Sequence, residues 1–286
     1  MSRIEVAKTY KLYIDGRFPR TESGRYYPLH AANGELLANV CLGSRKDFRE
    51  AVVAARKAFA SWSAATAYLR GQILYRIAEM LEGRSAQFVA ELQQQGASRA
   101  AARREIGACV DRLVYYAGWS DKYQQLFGTV NPVASSHFNF SMLEPMGVVA
   151  ILAPEHGGLL GLVSNVAPAI VGGNTCVVLA SESAPLAPVS FAEVLHASDV
   201  PAGVVNVLTG TREELALQFA AHMDVNALVY CDAVDDAARA LEIEASHNIK
   251  RVIRRTGVDW SGDASQGPYE IRDTQEVKTT WHPLGS

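Results

Sequence analysis

Glu155 and His156 lie in the stretch "VVAILAPEHGGLLGLVSN", residues 148–165, between an apolar run and the start of a helical apolar pattern. Val148–Ala153 reads as a buried strand, and helical spacing begins at Leu159. Ligands of open α/β sheets bind where a strand's carboxyl end meets a helix start. A carboxylate and an imidazole at such a junction are either chemistry or what remains after chemistry was lost. Cys231 ends a second strand beside Asp232, and with His156 on a neighbouring strand end it could form a Cys–His nucleophile pair. Asp232 counts against that pair, because a neighbouring negative charge raises a thiol pKa. The plainer alternative is a buried small residue near an unrelated exposed histidine. "KRVIRR", residues 250–255, could receive an anion at the sheet's edge, or it could flank a strand as solvated charge.

The elements that must position these residues come from composition and periodicity. The chain has 286 residues, 49% hydrophobic and 20% charged, with net charge −3. That balance suits a globular protein with a real core and gives neither a nucleic-acid footprint nor a polybasic membrane face. The four cysteines, Cys41, Cys109, Cys176 and Cys231, are widely spaced without a CxxC pair, and the seven histidines form no HxxxH. Neither a disulfide framework nor a metal site is expected, and a cytoplasmic location is the default.

"KLYIDGRF" (11–18) reads as a hairpin start on an Asp-Gly turn, followed by short strands. Apolar spacing predicts helices over Asp47–Trp62, Arg70–Gln95 and Ala100–Phe127, the last capped by Ser98. The Glu79–Glu82–Arg84 and Arg103–Arg104–Glu105 groups read as solvated helix faces. Residues 128–147 read as an exposed hairpin. From Gly147 onward, strands (Val148–Ala153, Thr175–Leu179, Val204–Leu208, Leu228–Tyr230, Arg251–Ile253) alternate with helices (Leu159–Ile170, Leu186–Ala197, Glu213–His222, Val234–His247). Near-continuous apolar strands alternating with helices indicate an α/β, Rossmann-like doubly wound parallel sheet. No strand is followed by GxGxxG. Gly172 and Gly173 read as a helix stop. The closing alternation from Glu276 to Trp281 reads as a strand paired with the 128–147 hairpin.

Several stretches resemble the aldehyde dehydrogenase superfamily: "FASWSAATAYLRGQILYRIAEMLEGR" (59–84), "LEPMGVVAILAP" (143–154), "GGNTCVVLASESAPLAP" (172–188) and "VPAGVVNVLTG" (200–210). "YYAGWSDK" (115–122) and "VKTTWHP" (277–283) are most similar to family 16, in which a catalytic module is followed by a degenerate one. The resemblance implies an NAD(P)-binding-like domain over 1–127 and 147–258, a protruding β-arm or oligomerisation flap over 128–146 and 268–286, and a linker at 259–267.

It also implies five departures at the site. The family's oxyanion-donating Asn in P-W-N-F-P falls on His156, with Glu155 beside it; such a donor contributes roughly 2.7–4 kcal/mol. The ribose-binding lysine of "VVVKPSE" falls on Leu179, which cannot donate. The glycine of the "FTGS" turn against the pyrophosphate falls on Asp232, and two like charges ~4 Å apart repel by roughly 4 kcal/mol at an effective dielectric of 20. The general-base glutamate of "LELGG" falls on Arg255, which cannot take a proton. The catalytic domain with its nucleophilic cysteine is expected to be absent, since a short loop leads from the last sheet strand to the arm strand. Together these make Glu155, His156, Leu179, Asp232 and Arg255 vestigial positions, with no catalytic residue and no cofactor expected, NAD or NADP being the family's. The implied role is assembly: the arm docks on the catalytic domain of an active aldehyde dehydrogenase module, on the same polypeptide or another chain, in a homo- or hetero-oligomer. Two other classes stay open, an NAD(P)-dependent aldehyde oxidoreductase with relocated residues and a ligand sensor using the old cleft.

Overall fold

Residues 7–156, 158–232 and 235–285 are described by a computed structural model of the chain. Gly157, Ala233 and Val234 lie outside them, as do residues 1–6 and 286. The chain opens with β1 (Thr9–Tyr10), β2 (Tyr26–His30) and β3 (Leu36–Cys41), a small sheet in the order β1-β3-β2. The Asp-Gly turn forms as its composition requires. Asp15 and Gly16 take φ of 52° and 70°, and Ile14 and Arg17 exchange both backbone hydrogen bonds across it. Tyr13 then pairs with Val207, so the N-terminal segment covers one edge of the main sheet.

Five helices follow: α1 (Arg45–Ser63), α2 (Ala67–Gly83), α3 (Ser85–Gln94), α4 (Arg99–Trp119) and α5 (Tyr123–Phe127). Three of them, α1, α2 and α4, start on side-chain caps. Ser44 and Asp47 close a reciprocal capping box on α1, Thr66 caps α2, and Ser98 accepts the Ala101 N–H of α4. The single helix expected over 70–95 is two. Arg84 leaves helical geometry, and its guanidinium bonds Gln87 and Glu193.

Next come β4 (Thr129–Asn131) and β5 (His137–Pro145), then β6 (Val148–Leu152), α6 (Gly158–Val171), β7 (Thr175–Leu179), α7 (Leu186–His196), β8 (Val205–Leu208), α8 (Arg212–Ala221), β9 (Ala227–Cys231), α9 (Asp235–Ser246) and β10 (Arg251–Arg255). The parallel sheet runs β10-β9-β6-β7-β8. Every residue of β6, β7, β8 and β9 is buried, and successive side chains serve opposite faces. Val149, Ile151, Cys176, Val178 and Val229 pack among residues of α2, α4, α6 and α7. Val148, Ala150, Leu152, Leu179 and Tyr230 pack with Phe48 of α1, Leu215 and Phe219 of α8 and Leu241 of α9. Helices on both faces of an all-parallel sheet define an α/β doubly wound fold.

A 3₁₀ turn (Asp263–Ser265), α10 (Pro268–Arg272) and β11 (Gln275–Pro283) complete the chain. All nine residues of β11 pair antiparallel with β5, and β4 flanks β5 on the other side. The expected linker 259–267 is instead packed down. Trp260 and Ser265 are buried, and the Arg112 guanidinium of α4 donates to the Trp260 and Ser265 carbonyls and to the Ser164 and Ser265 hydroxyls at 2.6–3.0 Å. A buried cation with no carboxylate partner needs such a full set of acceptors, which a loop's free carbonyls supply. Arg112→Met strips the buried Ser265 carbonyl of its donor and takes one donor each from the Trp260 carbonyl and the two hydroxyls, so it should destabilise the fold by about 3 kcal/mol. Urea unfolding and hydrogen exchange at 260–265 check this; a change under about 0.5 kcal/mol with unaltered exchange contradicts it.

Candidate functional site: a crevice closed by the chain's own charges

The strand order reverses between β6 and β9, so the crevice beyond their carboxyl ends is where this fold takes a ligand. Arg212, the first residue of α8 after its Thr211 cap, reaches into this crevice. Its Nη1 donates to the Cys231 carbonyl at 2.7 Å, its Nη2 donates to the Ala153 carbonyl, and its Nε lies 3.0 Å from Glu155 Oε1. One guanidinium thus bridges the ends of both strands.

Glu155 completes the closure. Its Oε2 accepts from the Ser181 hydroxyl at 3.0 Å, the Glu182 N–H at 3.0 Å and the Ser183 N–H at 3.4 Å, all in the loop after β7. Its own N–H donates to Asp232 Oδ2 at 3.0 Å. Asp232 keeps a φ of 58°, a left-handed conformation that glycine adopts freely and aspartate tolerates. The structure thus brings Glu155 and Asp232 together through the Glu155 backbone and sets Arg212 against the Glu155 carboxylate.

The other positions separate. Leu179 is 1% exposed and packs with Phe48 and Phe219, so its side chain belongs to the core. Arg255 is held by Asp273 at 2.8 Å and lies 3.9 Å from Glu270, tying β10 to α10. Cys231 is fully buried, with Asn165 donating to its sulfur at 3.7 Å. Burial first, and Asp232 second, push its thiol up to about 12, against the smaller pull of Arg212, Arg255 and Asn165. His156 is exposed and borders a different crevice, of about 850 Å³, between α4, the start of α6 and residues 258–261. The Cys231–His156 pair is not assembled.

Glu105 corrects the sequence reading. It is not part of a solvated face: its Oε1 accepts the Leu159 N–H at 2.7 Å and the Leu160 N–H at 3.4 Å, capping α6 from a neighbouring helix. Gly158 admits it, because a Cβ there would overlap the carboxylate. Burial raises the Glu105 pKa, and the two N–H groups offset part of that rise. Neither Glu105 nor Arg212 stands out in the sequence. One sits beside two arginines on a helix and the other opens a helix, so both look solvated until the fold is known.

The cations of 250–255 are mostly engaged as well. Lys250 is 8% exposed; it donates to the Ala220 carbonyl, and to the His222 carbonyl at 2.9 Å. Arg251 bonds the Asp273 and Gln275 carbonyls and Glu276. An anion site at this edge is not formed by them. Among the described residues, no group of His, Cys, Asp and Glu is arranged to hold a metal.

A dinucleotide laid across these strand ends does not fit the residues present. The loop N–H groups after β7 and the α6 N–H groups are taken by internal carboxylates. The side chain at 179 is buried and apolar, and an acid occupies the left-handed turn after β9.

With this geometry, the comparisons place the chain plainly. Residues 19–259 match the family model described as the aldehyde dehydrogenase family, and the chain belongs to that family. It is 30% identical over 264 residues to an aldehyde dehydrogenase, cytosolic 1, of Elephantulus edwardii, covering 90% of this chain and 52% of that one. It is 32% identical over 253 residues to a mitochondrial benzaldehyde dehydrogenase of Antirrhinum majus, covering 86% and 47%. Among solved structures, the NAD+ complex of an aldehyde dehydrogenase from Bacillus cereus superposes with a TM-score of 0.83 at 26% identity, covering 87% of this chain and 51% of that one. The chain spans about half the length of the relatives it matches.

Burial pulls the Lys250 pKa from 10.5 down to about 8. Between these values the unfolded chain holds the extra proton, so this group makes stability rise with pH across that window. Relative to Lys250→Met, the wild type should gain about 1–2 kcal/mol between pH 8 and 10. Parallel pH–stability curves for the two proteins contradict this assignment.

Proposed function

We propose that this chain is a non-catalytic aldehyde dehydrogenase-like module that assembles with, and stabilises, a catalytic aldehyde dehydrogenase module. The observation that carries the reading is the three-stranded sheet. Its order is β11-β5-β4, and among the described residues no strand pairs with the outer side of β11. Along that free edge, Glu276 through Pro283 are all exposed, with Val277 at 65% and Trp281 at 57%. Phe138 and Met142 of β5 and Val130 of β4 are exposed too. A long edge strand lined with apolar groups is a template for strand addition, and proteins seldom leave one open. In this reading the partner supplies a strand from the sheet of a catalytic domain, and 128–146 with 268–286 act as the oligomerisation arm.

The closed crevice supports the non-catalytic half. Among the described residues, those at the strand ends are engaged with one another and leave no donors turned toward a dinucleotide. The four cysteines are all buried, which is a poor state for a nucleophile. The second reading, an NAD(P)-dependent aldehyde oxidoreductase, is favoured by one observation, the family match over 19–259. It requires NADH formation with an aldehyde that is lost in Cys231→Ala.

Deletion of 276–286 tests the first reading while sparing the buried Ile271 and Gln275. Light scattering on the chain, alone and mixed with an active aldehyde dehydrogenase module from the same source, should show association weakened at least tenfold, about 1.4 kcal/mol, by the deletion. Assembly of the truncated chain equal to that of the intact one contradicts the docking role.

A further inference from the structure

We propose that Glu155 is a tethered ligand: it fills an oxyanion site of the chain's own making, and removing its carboxylate opens that site to a small free anion of the phosphate class. The site has four donors from two parts of the fold, the start of α8 and the loop after β7. Arg212 brings a guanidinium already fixed by the Ala153 and Cys231 carbonyls. The Ser181 hydroxyl and the Glu182 and Ser183 N–H groups converge on one carboxylate oxygen from the opposite side. Ser183 also reaches Glu155 with its hydroxyl, at 3.5 Å from Oε2 and 3.4 Å from the carbonyl.

This is the donor set that binds an oxyanion: one cation, hydroxyls and consecutive main-chain N–H groups. The carboxylate now in it is held at residue 155 by a backbone clamp, since the Glu155 N–H donates to Asp232 and the Ser181 hydroxyl also reaches the Glu155 carbonyl. That clamp is main chain on the 155 side, so side-chain truncation leaves it in place. Asp232 is the acid that remains beside the opened site, and its Oδ2 stays bonded to the same N–H in every variant.

The half-buried position of the pair sets the consequence. Glu155 and Arg212 each keep 22% of their side-chain surface exposed. Loss of the carboxylate therefore leaves a partly desolvated guanidinium and two N–H groups without their acceptor, at a place solvent ions reach. An oxyanion entering there restores the same contacts. The inference depends on the crevice as described and not on the docking of the three-stranded sheet, so its failure leaves the light-scattering outcome untouched.

The test is thermal unfolding in inorganic phosphate, matched for ionic strength with chloride. Wild type should show no phosphate-specific rise. Glu155→Ala should show a saturable rise of about 2–4 °C at tenfold the dissociation constant. Glu155→Ala with Arg212→Gln should lose that rise. If Glu155→Ala folds only when phosphate is present, that rescue supports the proposal equally. No rise in Glu155→Ala overturns it, as does an undiminished rise in the double variant. Failure of both Glu155→Ala and Glu155→Ser to fold at any phosphate concentration also overturns it.

Discussion

The bridging of two strand ends by Arg212 is the constraint on which the site depends. Where β6 and β9 diverge, the carbonyls of Ala153 and Cys231 end the sheet at its switch point, and one guanidinium serves both. A half-buried cation needs a counter-charge, and Glu155 supplies it. That carboxylate in turn needs donors for its second oxygen, and the loop after β7 provides three. Asp232 then fixes the backbone of Glu155. Opposite charges thus face one another across the strand ends, with Glu155 Oε1 met by the Arg212 charge and not by a hydrogen bond, so the crevice is filled by the chain's own groups.

The same logic recurs across the molecule. Buried cations sit on the carbonyl ends of helices: Arg70 donates to Val171 at the end of α6, and Lys250 to Ala220 at the end of α8. Buried or half-buried acids sit on N–H ends: Asp47 in the cap of α1 and Glu105 on α6. These placements follow the helix dipole and the unmet donors and acceptors at helix termini. A fold that meets its helix ends from within has little left at those ends for a ligand anion.

Strand alternation and apolar runs made the central sheet legible from the sequence, because burial on both faces leaves a pattern that survives divergence. The Asp-Gly turn, the Ser98 cap and the pairing of the final strand with the 128–147 hairpin were legible for equally local reasons. The break at Arg84 was not, since the apolar face continues through it. The packed state of 259–267 was hidden because a Gly- and Ser-rich segment carries no sign of a buried arginine waiting beneath it. At the strand ends, the junction that holds Glu155 was legible from its position, but the cation that faces it was not. Arg212 reads as an ordinary helix-start residue, and only the crossover from β8 to β9 brings it over the strand ends. Nothing in "KRVIRR" shows that the Arg255 guanidinium pairs with Asp273 and faces Glu270 at the end of the chain.

If the switch-point crevice is occupied by the chain itself, isothermal titration of the intact chain with NAD and with NADP gives no saturable heat with either nucleotide. Stoichiometric binding, with the dinucleotide ordered across Leu179 and Asp232 in a crystal of the same complex, contradicts it.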